Sequence, residues 1–196
     1  MLAAWDLQEE QQVCITTDNA ANIVNAVAIN KWNRLQCFGH RLHLAIEHAL
    51  KDVQFERALN VCKKVVGCFS YSWRRRRELS EAQKELKLPQ HKLKTECPTR
   101  HLIPTWQDLE VLEAVNNSLS PLAEFTDALS GEQYVSVSYV KLVLHLFNNK
   151  ILAEKEEETE LSKCIKKKIL GYLNEKYEDP QTQELLDMAS AIDPRF

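Results

Sequence analysis

Glycine and proline are scarce in this chain, with 4 and 6 copies among 196 residues. Both residue types mark turns, so their scarcity favours helices over turn-rich β-structure. The six cysteines form no C-x-x-C pair. No apolar run reaches the roughly 18 residues that a membrane helix requires, and no signal peptide precedes the first predicted strand. These absences predict a helical intracellular protein with free, buried thiols and no membrane partner.

Charge is unevenly distributed along a chain whose formal net charge is −3. That value argues against wholesale coating of the protein by nucleic acid. Between Tyr71 and Arg100, however, nine Lys/Arg residues face four Glu residues, and between Ala153 and Glu160 five Glu face one Lys. The pattern predicts a basic patch on a mildly acidic protein. We expect Lys163 and Lys166–Lys168 to balance the acidic run across one helix.

The first fifty residues combine short strands with helices. Val13–Thr17 is short, apolar and rich in β-branched residues, which predicts a buried strand. A helix is expected over about Ala20–Ile29, with Ile23 and Val27 on its inner face. A second short strand is expected at Leu35–Phe38.

Apolar residues then recur at helical spacing to the end of the chain. The predicted helices are His40–Lys51, one carrying Phe55 to Phe69, Arg74–Leu86, faces at Leu109 to Val115 and at Leu122 to Leu129, one capped by Ser136 or Ser138 with Val140 to Ile151 on its face, one carrying Leu161 to Leu173, and a last one with Leu185, Leu186 and Met188. The sequence therefore predicts an α/β piece over residues 1–52 and an all-helical piece over 53–196, predominantly helical overall.

Asp18 directly follows the first predicted strand. Its carboxylate has two candidate roles. It can accept hydrogen bonds from backbone N–H groups where the next helix begins, or it can ligate Mg²⁺, which prefers hard oxygen ligands on a rigid backbone. A single carboxylate does not make a metal site, so its position alone favours the capping role.

Cys37, His40 and His43 have the spacing of a partial zinc site. A closed structural zinc site needs four ligands, and the sequence offers no second pair at matching spacing. The favoured interpretation makes Cys37 a buried strand residue and His40 a helix-capping residue. His43 and Glu47 lie four residues apart and are expected to form a surface pair.

Aromatic residues adjoin a run of four arginines near the middle of the chain. Tyr71 and Trp73 could stack on unpaired bases while the arginines contact phosphates, or the run could be a solvated helix face. Further cations downstream favour DNA. The basic residues concerned are Arg74, Arg75, Arg76, Arg77, Lys92, Lys94 and Arg100.

Four segments together resemble the hAT transposase superfamily, and within it the zinc finger BED domain-containing proteins of vertebrates. The segments are TTDNAANI from Thr16, CFGHRLHLAI from Cys37, HKLKTECPTR from His91 and DMASAIDPRF from Asp187. The resemblance implies a partial RNase H-like core at 1–52, followed by a helical insertion domain at 53–196. It also implies a nuclear DNA-binding protein.

In active members of that superfamily three acidic residues hold divalent metal, Mg²⁺, for strand cleavage and transfer. The resemblance matches Asp18 to the second of these and places the other two outside this chain. Cys37 and His40 match a C-x-x-H motif that supports the core. Zinc would belong to an amino-terminal BED finger, and homodimerisation to a carboxy-terminal region, neither of which this sequence contains.

One departure from the family pattern concerns a tryptophan implicated in stacking on a flipped DNA base. The family has an Arg-Trp pair after the C-P-T segment, whereas here Arg100 is followed by His101, and Trp106 lies five residues further on. We therefore expect a catalytically inactive, transposase-derived nuclear DNA-binding or regulatory fragment that needs no cofactor. A protein-interaction module without DNA binding is the alternative.

Overall fold

The computed structural model describes residues 14–70, 72–87, 104–131 and 137–194. Within these residues it contains two β-strands, eight α-helices and one π-helical turn. The elements are β1 (Ile15–Thr17), α1 (Ala21–Ile29), β2 (Arg34–Gln36), α2 (Phe38–Leu50), α3 (Val53–Ser70), α4 (Trp73–Glu85), α5 (Trp106–Gly131), α6 (Tyr139–Leu146), the π-helical turn (Phe147–Ile151), α7 (Glu160–Tyr177) and α8 (Pro180–Ile192). The predicted fold class, a small α/β piece in a predominantly helical chain, is confirmed.

β1 and β2 form a parallel two-stranded sheet in which Thr16 pairs with Leu35. The strands are connected by α1, as parallel strands require a crossover. Leu35 and Val27 of α1 are buried, at 2% and 4% exposure. Ile23, predicted on the inner face of α1, is instead 37% exposed. The described sheet is too small to cover both Val27 and Ile23 of this helix.

Contacts divide the chain into two compact units. The first comprises Met1–Ala49 and Ser118–Phe196. Its core contains four aromatic side chains from four elements. Phe147 contacts Phe38 and Phe125, with ring centroids 5.9 and 5.0 Å apart, and Phe38 lies 6.1 Å from Tyr177. Such tilted and edge-to-face pairs stabilise a core beyond the apolar area that they bury.

Helices α2 and α7 show the predicted apolar faces. On α2 the predicted residues Leu42, Ala45 and Ala49 are buried. On α7 the buried apolar face consists of Ile165, Ile169, Leu173 and Tyr177. The expected charge balance is present at two of the four lysines: Lys163 pairs with Glu160 at 2.9 Å, and the buried Lys166 pairs with Glu158, just before α7, at 2.5 Å.

The second compact unit is Leu50–Asn117. Phe55 and Ala58 of α3, and Ala114 and Val115 of α5, are buried. Leu109, predicted on the apolar face of α5, is 55% exposed. The buried residue near the start of α5 is instead the charged Asp108, at 4% exposure, whose carboxylate is satisfied by hydrogen bonds.

A capping box begins α5. Thr105 Oγ1 accepts a hydrogen bond from the Asp108 N–H at 3.2 Å, and Asp108 Oδ2 accepts one from the Thr105 N–H at 2.9 Å. Arg57 of α3 lies 3.4 Å from Asp108 Oδ1. The Thr105 hydroxyl also donates to Asp108 Oδ2 at 2.7 Å, and this bond, followed by the one from the Thr105 N–H, lowers the pKa of Asp108 below its ordinary value.

The predicted faces at Leu109–Val115 and Leu122–Leu129 lie on one continuous helix, α5, which contains Pro121. The helix predicted after Ser138 begins at Tyr139. Ser138 occupies the N-cap position without a side-chain capping bond, and its hydroxyl donates to the Asp193 carboxylate instead. The alternative cap Ser136 lies outside the described residues.

The π-helical turn changes which residues are buried after α6. The sequence pattern predicted Ile151 on the apolar face, but Leu152 is fully buried and Ile151 only half-buried. The Leu152 N–H donates to the Phe147 carbonyl at 2.9 Å, five residues back. This bond defines the π turn and moves the buried position along by one residue.

The division into a core at 1–52 and an insertion domain at 53–196 stays a prediction. The two compact units are defined by contacts in space, whereas the predicted domains are defined by relationship to a family. The described cysteines Cys14, Cys37, Cys62 and Cys164 form no disulfide, and they are half-buried rather than buried as predicted. Among the described residues, no helix has the length and apolar character needed to span a bilayer.

Candidate functional site

Helix α4 carries the arginine run and lies in the second compact unit, packed against α3. Ser72 begins it as the N-cap residue, accepting a hydrogen bond from the Arg75 N–H at 3.4 Å. Straight-chain residues with high helix propensity fill most of its remaining positions. No residue of α4 is buried. The helix therefore presents most of its side chains to solvent.

Trp73 stands at the first position of α4 with 70% of its surface exposed. The guanidinium carbon of Arg77, one turn later, lies 5.8 Å from the centre of the Trp73 ring. This is cation–π distance. Large aromatic side chains are seldom left this exposed, so an exposed indole with a guanidinium group beside it forms a distinctive surface. We call residues Trp73–Arg77 the Trp–Arg surface.

Two arginines of the Trp–Arg surface form ion pairs along α4. Arg74 Nε lies 3.0 Å from Glu78 Oε1, and Arg77 Nε lies 2.9 Å from Glu81 Oε1. The hydrogen bond to Glu81 raises the pKa of Arg77. Ion pairs this exposed contribute little to stability, so an anion that binds guanidinium more tightly can replace the glutamate carboxylates. Overall, α4 contains five basic and three acidic residues, so it keeps a positive excess.

Several predicted DNA-contacting residues lie outside the described part of the chain. They are Lys92, Lys94 and Arg100, together with the aromatic candidate Tyr71. Their proximity to the Trp–Arg surface stays a prediction. Trp106 is described: it begins α5 and is 67% exposed.

Asp18 follows β1 on an exposed turn. Its Oδ1 accepts a hydrogen bond from the Ala20 N–H at 3.1 Å. Ala20 is itself the N-cap residue of α1 and provides no side-chain cap. The carboxylate therefore stabilises the turn before the helix, close to the capping role that the sequence favoured but one position earlier than a helical N–H.

Arg34 pairs with Ile15 at the start of β1, but its side chain reaches the residues at the other end of the strand, a contact not anticipated from the sequence. Its Nε donates to Thr17 Oγ1 at 2.8 Å, and its Nη2 donates to Asn19 Oδ1 at 2.8 Å and to the Asp18 carbonyl. These bonds join residues 15 to 17 positions apart. They depend on the parallel pairing of the two strands, so no local sequence pattern predicts them.

The surroundings of Asp18 do not fit a divalent cation. A metal there would need further hard oxygen ligands, but the nearby Asn19 oxygen and Asp18 carbonyl already accept hydrogen bonds from a guanidinium cation. A neighbouring positive charge also opposes cation binding. Within the described ranges, no group of three His, Cys, Asp or Glu residues is placed to hold a metal ion.

The C-x-x-H pair lies at the junction of β2 and α2. The Cys37 N–H donates to the Thr17 carbonyl at 2.8 Å, and its carbonyl accepts from the Arg41 N–H at 3.0 Å. His40 lies half-buried in the first turn of α2. Cys37 thus extends the strand pairing and starts the helix. The predicted surface pair of His43 and Glu47 is confirmed at 3.5 Å.

A surface concavity of about 390 Å³ lies beside the π-helical turn. It is lined by Asn148, Leu152, Ala153, Glu154, Lys167, Leu170, Gly171 and Asn174. Asn148 and Asn174 exchange two amide hydrogen bonds, at 2.9 and 3.1 Å, so their polar groups are already paired. None of the site residues predicted from the sequence lines this concavity.

The described geometry thus defines a class of protein: a largely helical chain with a small parallel α/β element and an exposed basic helix. No family model matches the chain, and no solved structure matches it. Curated proteins do match. Human zinc finger BED domain-containing protein 4 is 24% identical over 98% of this chain and 19% of its own length.

Zinc finger BED domain-containing protein 6 from Homo sapiens and from Mus musculus is 30% identical in each case. Each alignment covers 68% of this chain and 14% of the relative. The curated homologues of the chain are therefore zinc finger BED domain-containing proteins, which confirms the resemblance found in the sequence. The chain spans less than a fifth of the length of these relatives.

Proposed function

We propose that this chain is part of a transposase-derived, nuclear DNA-binding or regulatory protein, and that it contacts DNA through the Trp–Arg surface. The homologues are named as BED-type zinc finger proteins, which supports a role at DNA. The observation that carries the proposal is the 70% exposure of Trp73 directly before a run of four arginines. The predicted cations Lys92, Lys94 and Arg100 would extend this surface.

The chemistry of the Trp–Arg surface suits a strand with accessible bases. Guanidinium groups bind phosphate oxygens bidentately, and each neutralised phosphate releases counterions. One face of the Trp73 indole lies beside Arg77, and an unpaired base can stack on an exposed indole. The pairs with Glu78 and Glu81 are weak enough for phosphate to replace the carboxylates.

We further propose that the chain has no strand-transfer activity of its own. In the RNase H-like arrangement implied by the family resemblance, Asp18 would be one of three metal-binding acidic residues. Here the Asp18 carboxylate holds a turn, and Arg34 donates hydrogen bonds to the same strand end. Purified chain is therefore expected not to cut or join DNA with Mg²⁺. Cleavage that depends on Asp18 would disprove inactivity.

The DNA proposal is tested by measuring binding to duplex, hairpin-ended and single-stranded DNA across salt concentrations. The Arg74→Ala/Arg76→Ala variant is compared with Lys63→Ala/Lys64→Ala, which removes the same charge from exposed positions of α3. Only the arginine variant is expected to lower the slope of log affinity against log salt, by about two. Equal effects would mean that binding is unspecific electrostatic attraction.

Stacking is tested with a matched pair of tryptophan variants. Trp73→Ala removes a side chain that is 70% exposed, and Trp106→Ala removes one that is 67% exposed. Loss of one stacked base costs about 1–3 kcal/mol, or roughly 5- to 150-fold in affinity. We expect the Trp73→Ala variant to lose affinity by this factor, and to lose most in binding to single-stranded DNA. No binding of the native chain at low salt would reject the DNA function.

A protein-interaction module is the second candidate, favoured by the apolar surface of α1. Ile29 is 79% exposed and Ile23 37% exposed on a helix whose one buried residue is Val27. Large apolar side chains exposed on a folded protein can mark a surface that a partner covers. Oligomers in light scattering that dissociate in an Ile23→Ser/Ile29→Ser variant, together with absent DNA binding, would establish this alternative.

A further inference from the structure

A spaced arginine pattern leads to a serine on α4. Arg75 and Arg77 stand five and three residues before Ser80, in the order Arg-Arg-Arg-Glu-Leu-Ser. Acidic substrate grooves of arginine-directed protein kinases select guanidinium groups at fixed distances before a hydroxyl, because carboxylates bind guanidinium in a bidentate fork. We propose that Ser80 is a phosphorylation site of such a kinase, and that the phosphate weakens nucleic-acid binding by the Trp–Arg surface.

Access to Ser80 follows from the weak anchoring of α4. A kinase groove binds its substrate in an extended form, so the helix must open locally. Helix α4 has no buried residue, and Ser80 is half-buried. The hydrogen bond that caps the start of α4, from the Arg75 N–H to the Ser72 hydroxyl, is long at 3.4 Å. The two ion pairs along the helix lie on its surface. Segments with few buried contacts open at low free-energy cost.

The transfer itself is a simple displacement. The Ser80 oxygen attacks the γ-phosphorus of ATP and forms a P–O bond, while the bond from that phosphorus to the β–γ bridging oxygen breaks and ADP leaves. The hydroxyl proton passes to a carboxylate of the kinase, which acts as the base. The protein supplies the hydroxyl and the arginines that position it.

Once the helix re-forms, the phosphate faces two arginines of the Trp–Arg surface. Ser80 lies four residues after Arg76 and three after Arg77, the spacings at which helical side chains meet. The phosphate brings about −1.5 to −2 charges. Helix α4 carries five basic and three acidic residues, so this charge cancels its positive excess. Arg76 and Arg77 would then bind the phosphate in place of nucleic acid.

The experiment treats the full chain with a purified arginine-directed kinase and ATP, and maps phosphate by mass spectrometry. About one phosphate per chain is expected on Ser80. It should disappear in Ser80→Ala, fall strongly in Arg75→Gln/Arg77→Gln, and persist in Lys63→Gln/Lys64→Gln. A chain that takes no phosphate on Ser80, while a peptide of residues 73–85 is modified, would overturn the proposal because the folded helix then protects the site.

The effect on binding rests on the proposed DNA function and is measured separately. Phosphorylated chain should bind single-stranded DNA about tenfold or more weakly than unmodified chain, with a salt slope lower by about two. Equal affinity of both forms would overturn the weakening by phosphate. If unmodified chain fails to bind DNA, the DNA function fails, whereas the phosphate map still decides whether Ser80 is a modification site.

Discussion

The guanidinium carbon of Arg41 lies 4.6 Å from the centre of the Tyr177 ring, and both side chains are buried, at 8% and 1% exposure. Arg41 Nε donates to Gln36 Oε1 at 2.7 Å, and Nη1 donates to the Lys176 carbonyl. One side chain thereby links β2, α2 and the end of α7. Burial lowers the pKa of Arg41, yet the guanidinium keeps its charge at any physiological pH.

Arg41→Ala should therefore destabilise the chain strongly. The substitution removes two hydrogen bonds and the cation–π contact, and leaves the Lys176 carbonyl and Gln36 without this donor. We expect a loss of about 2–4 kcal/mol in the free energy of unfolding, measured by urea denaturation. His43→Ala is the control, because His43 lies on the same helix with 66% of its side chain exposed. Similar losses in both variants would refute the linking role of Arg41.

Tyr177→Phe should remove a dependence of stability on high pH. The Tyr177 hydroxyl has no hydrogen-bond partner within the described residues, and burial raises its pKa to about 12. The unfolded chain ionises this group near pH 10, whereas the folded chain keeps it protonated. The native chain should therefore lose about 2 kcal/mol between pH 10 and pH 12 relative to the variant.

Below pH 10 the same variant should equal or exceed the native chain in stability, by up to about 1 kcal/mol, because it removes an unpaired buried hydroxyl. Denaturant midpoints at pH 7, 10 and 12 test both statements. A variant that is clearly less stable at pH 7 would show that the hydroxyl has a partner in solution.

The capping box of α5 predicts an acid-sensitive contribution to stability. The pKa of Asp108 is lowered in the folded chain, chiefly by Thr105. Its contribution is therefore complete above the unfolded pKa of about 4 and declines as the pH falls through the folded value. Asp108→Asn should be less stable than native chain at pH 7, and the difference should narrow below pH 4. A difference independent of pH would exclude an electrostatic role.

Thr105→Ala should shorten or loosen the first turn of α5. It removes the hydroxyl that bonds both the N–H and the carboxylate of Asp108. The loss expected for an N-cap threonine is about 1 kcal/mol. Thr126→Ala is the matched control, since its hydroxyl bonds a carbonyl within the same helix. Equal losses of stability in the two variants would mean that the capping position of Thr105 contributes no more than an ordinary threonine within the helix.

Millimolar Mg²⁺ should not raise the melting temperature of the chain. Ligands that bind only the folded state raise it, but Arg34 places a cation beside the single carboxylate of Asp18. The measurement is thermal unfolding with MgCl₂ or with KCl at equal ionic strength. A rise with Mg²⁺ that disappears in Asp18→Asn would contradict this prediction and revive the metal-binding role of Asp18.

Hydrogen exchange should be fast in residues 14–36. Val27 and Leu35 are the buried apolar residues of this segment, whereas Ile165, Ile169 and Leu173 of α7 are fully buried. A small parallel sheet with a partly covered helix opens easily. Amides of β1 and β2 should exchange about a hundredfold faster than those in the middle of α7. Equal protection would show that the segment is held by contacts beyond these two side chains.

Periodic apolar patterns predicted α2 and α7 well, because each helix buries a regular stripe. The pattern failed where polar groups take inner positions. Arg41 and Asp108 can be buried because they form hydrogen bonds, Arg41 with a distant residue and Asp108 with a local one. A pattern of apolar residues does not predict such bonds. Arg41 does stand four residues before the buried Ala45 on α2. That spacing was the available signal.

The candidate site was predictable in composition but not in geometry. The arginine run and Trp73 are visible in the sequence, and their helix follows from local propensity. The pairing of Arg74 and Arg77 with glutamates one turn later follows from spacing as well. The bonds of Arg34 to the end of β1 arise only when the two strands pair. A tertiary contact of this kind leaves no trace in either segment alone.

The π-helical turn makes this part of the chain tolerant of a change in length. Phe147 and Leu152 are both fully buried and lie five residues apart, a spacing that an α-helix would place about 140° apart around its axis. The turn accommodates one residue more than an α-helix would hold between two core positions. Deleting one of residues 148–150 would convert the turn to ordinary helix and still leave two apolar residues for the same core positions. Homologues that differ from this chain by one residue in length are therefore expected to differ at this turn.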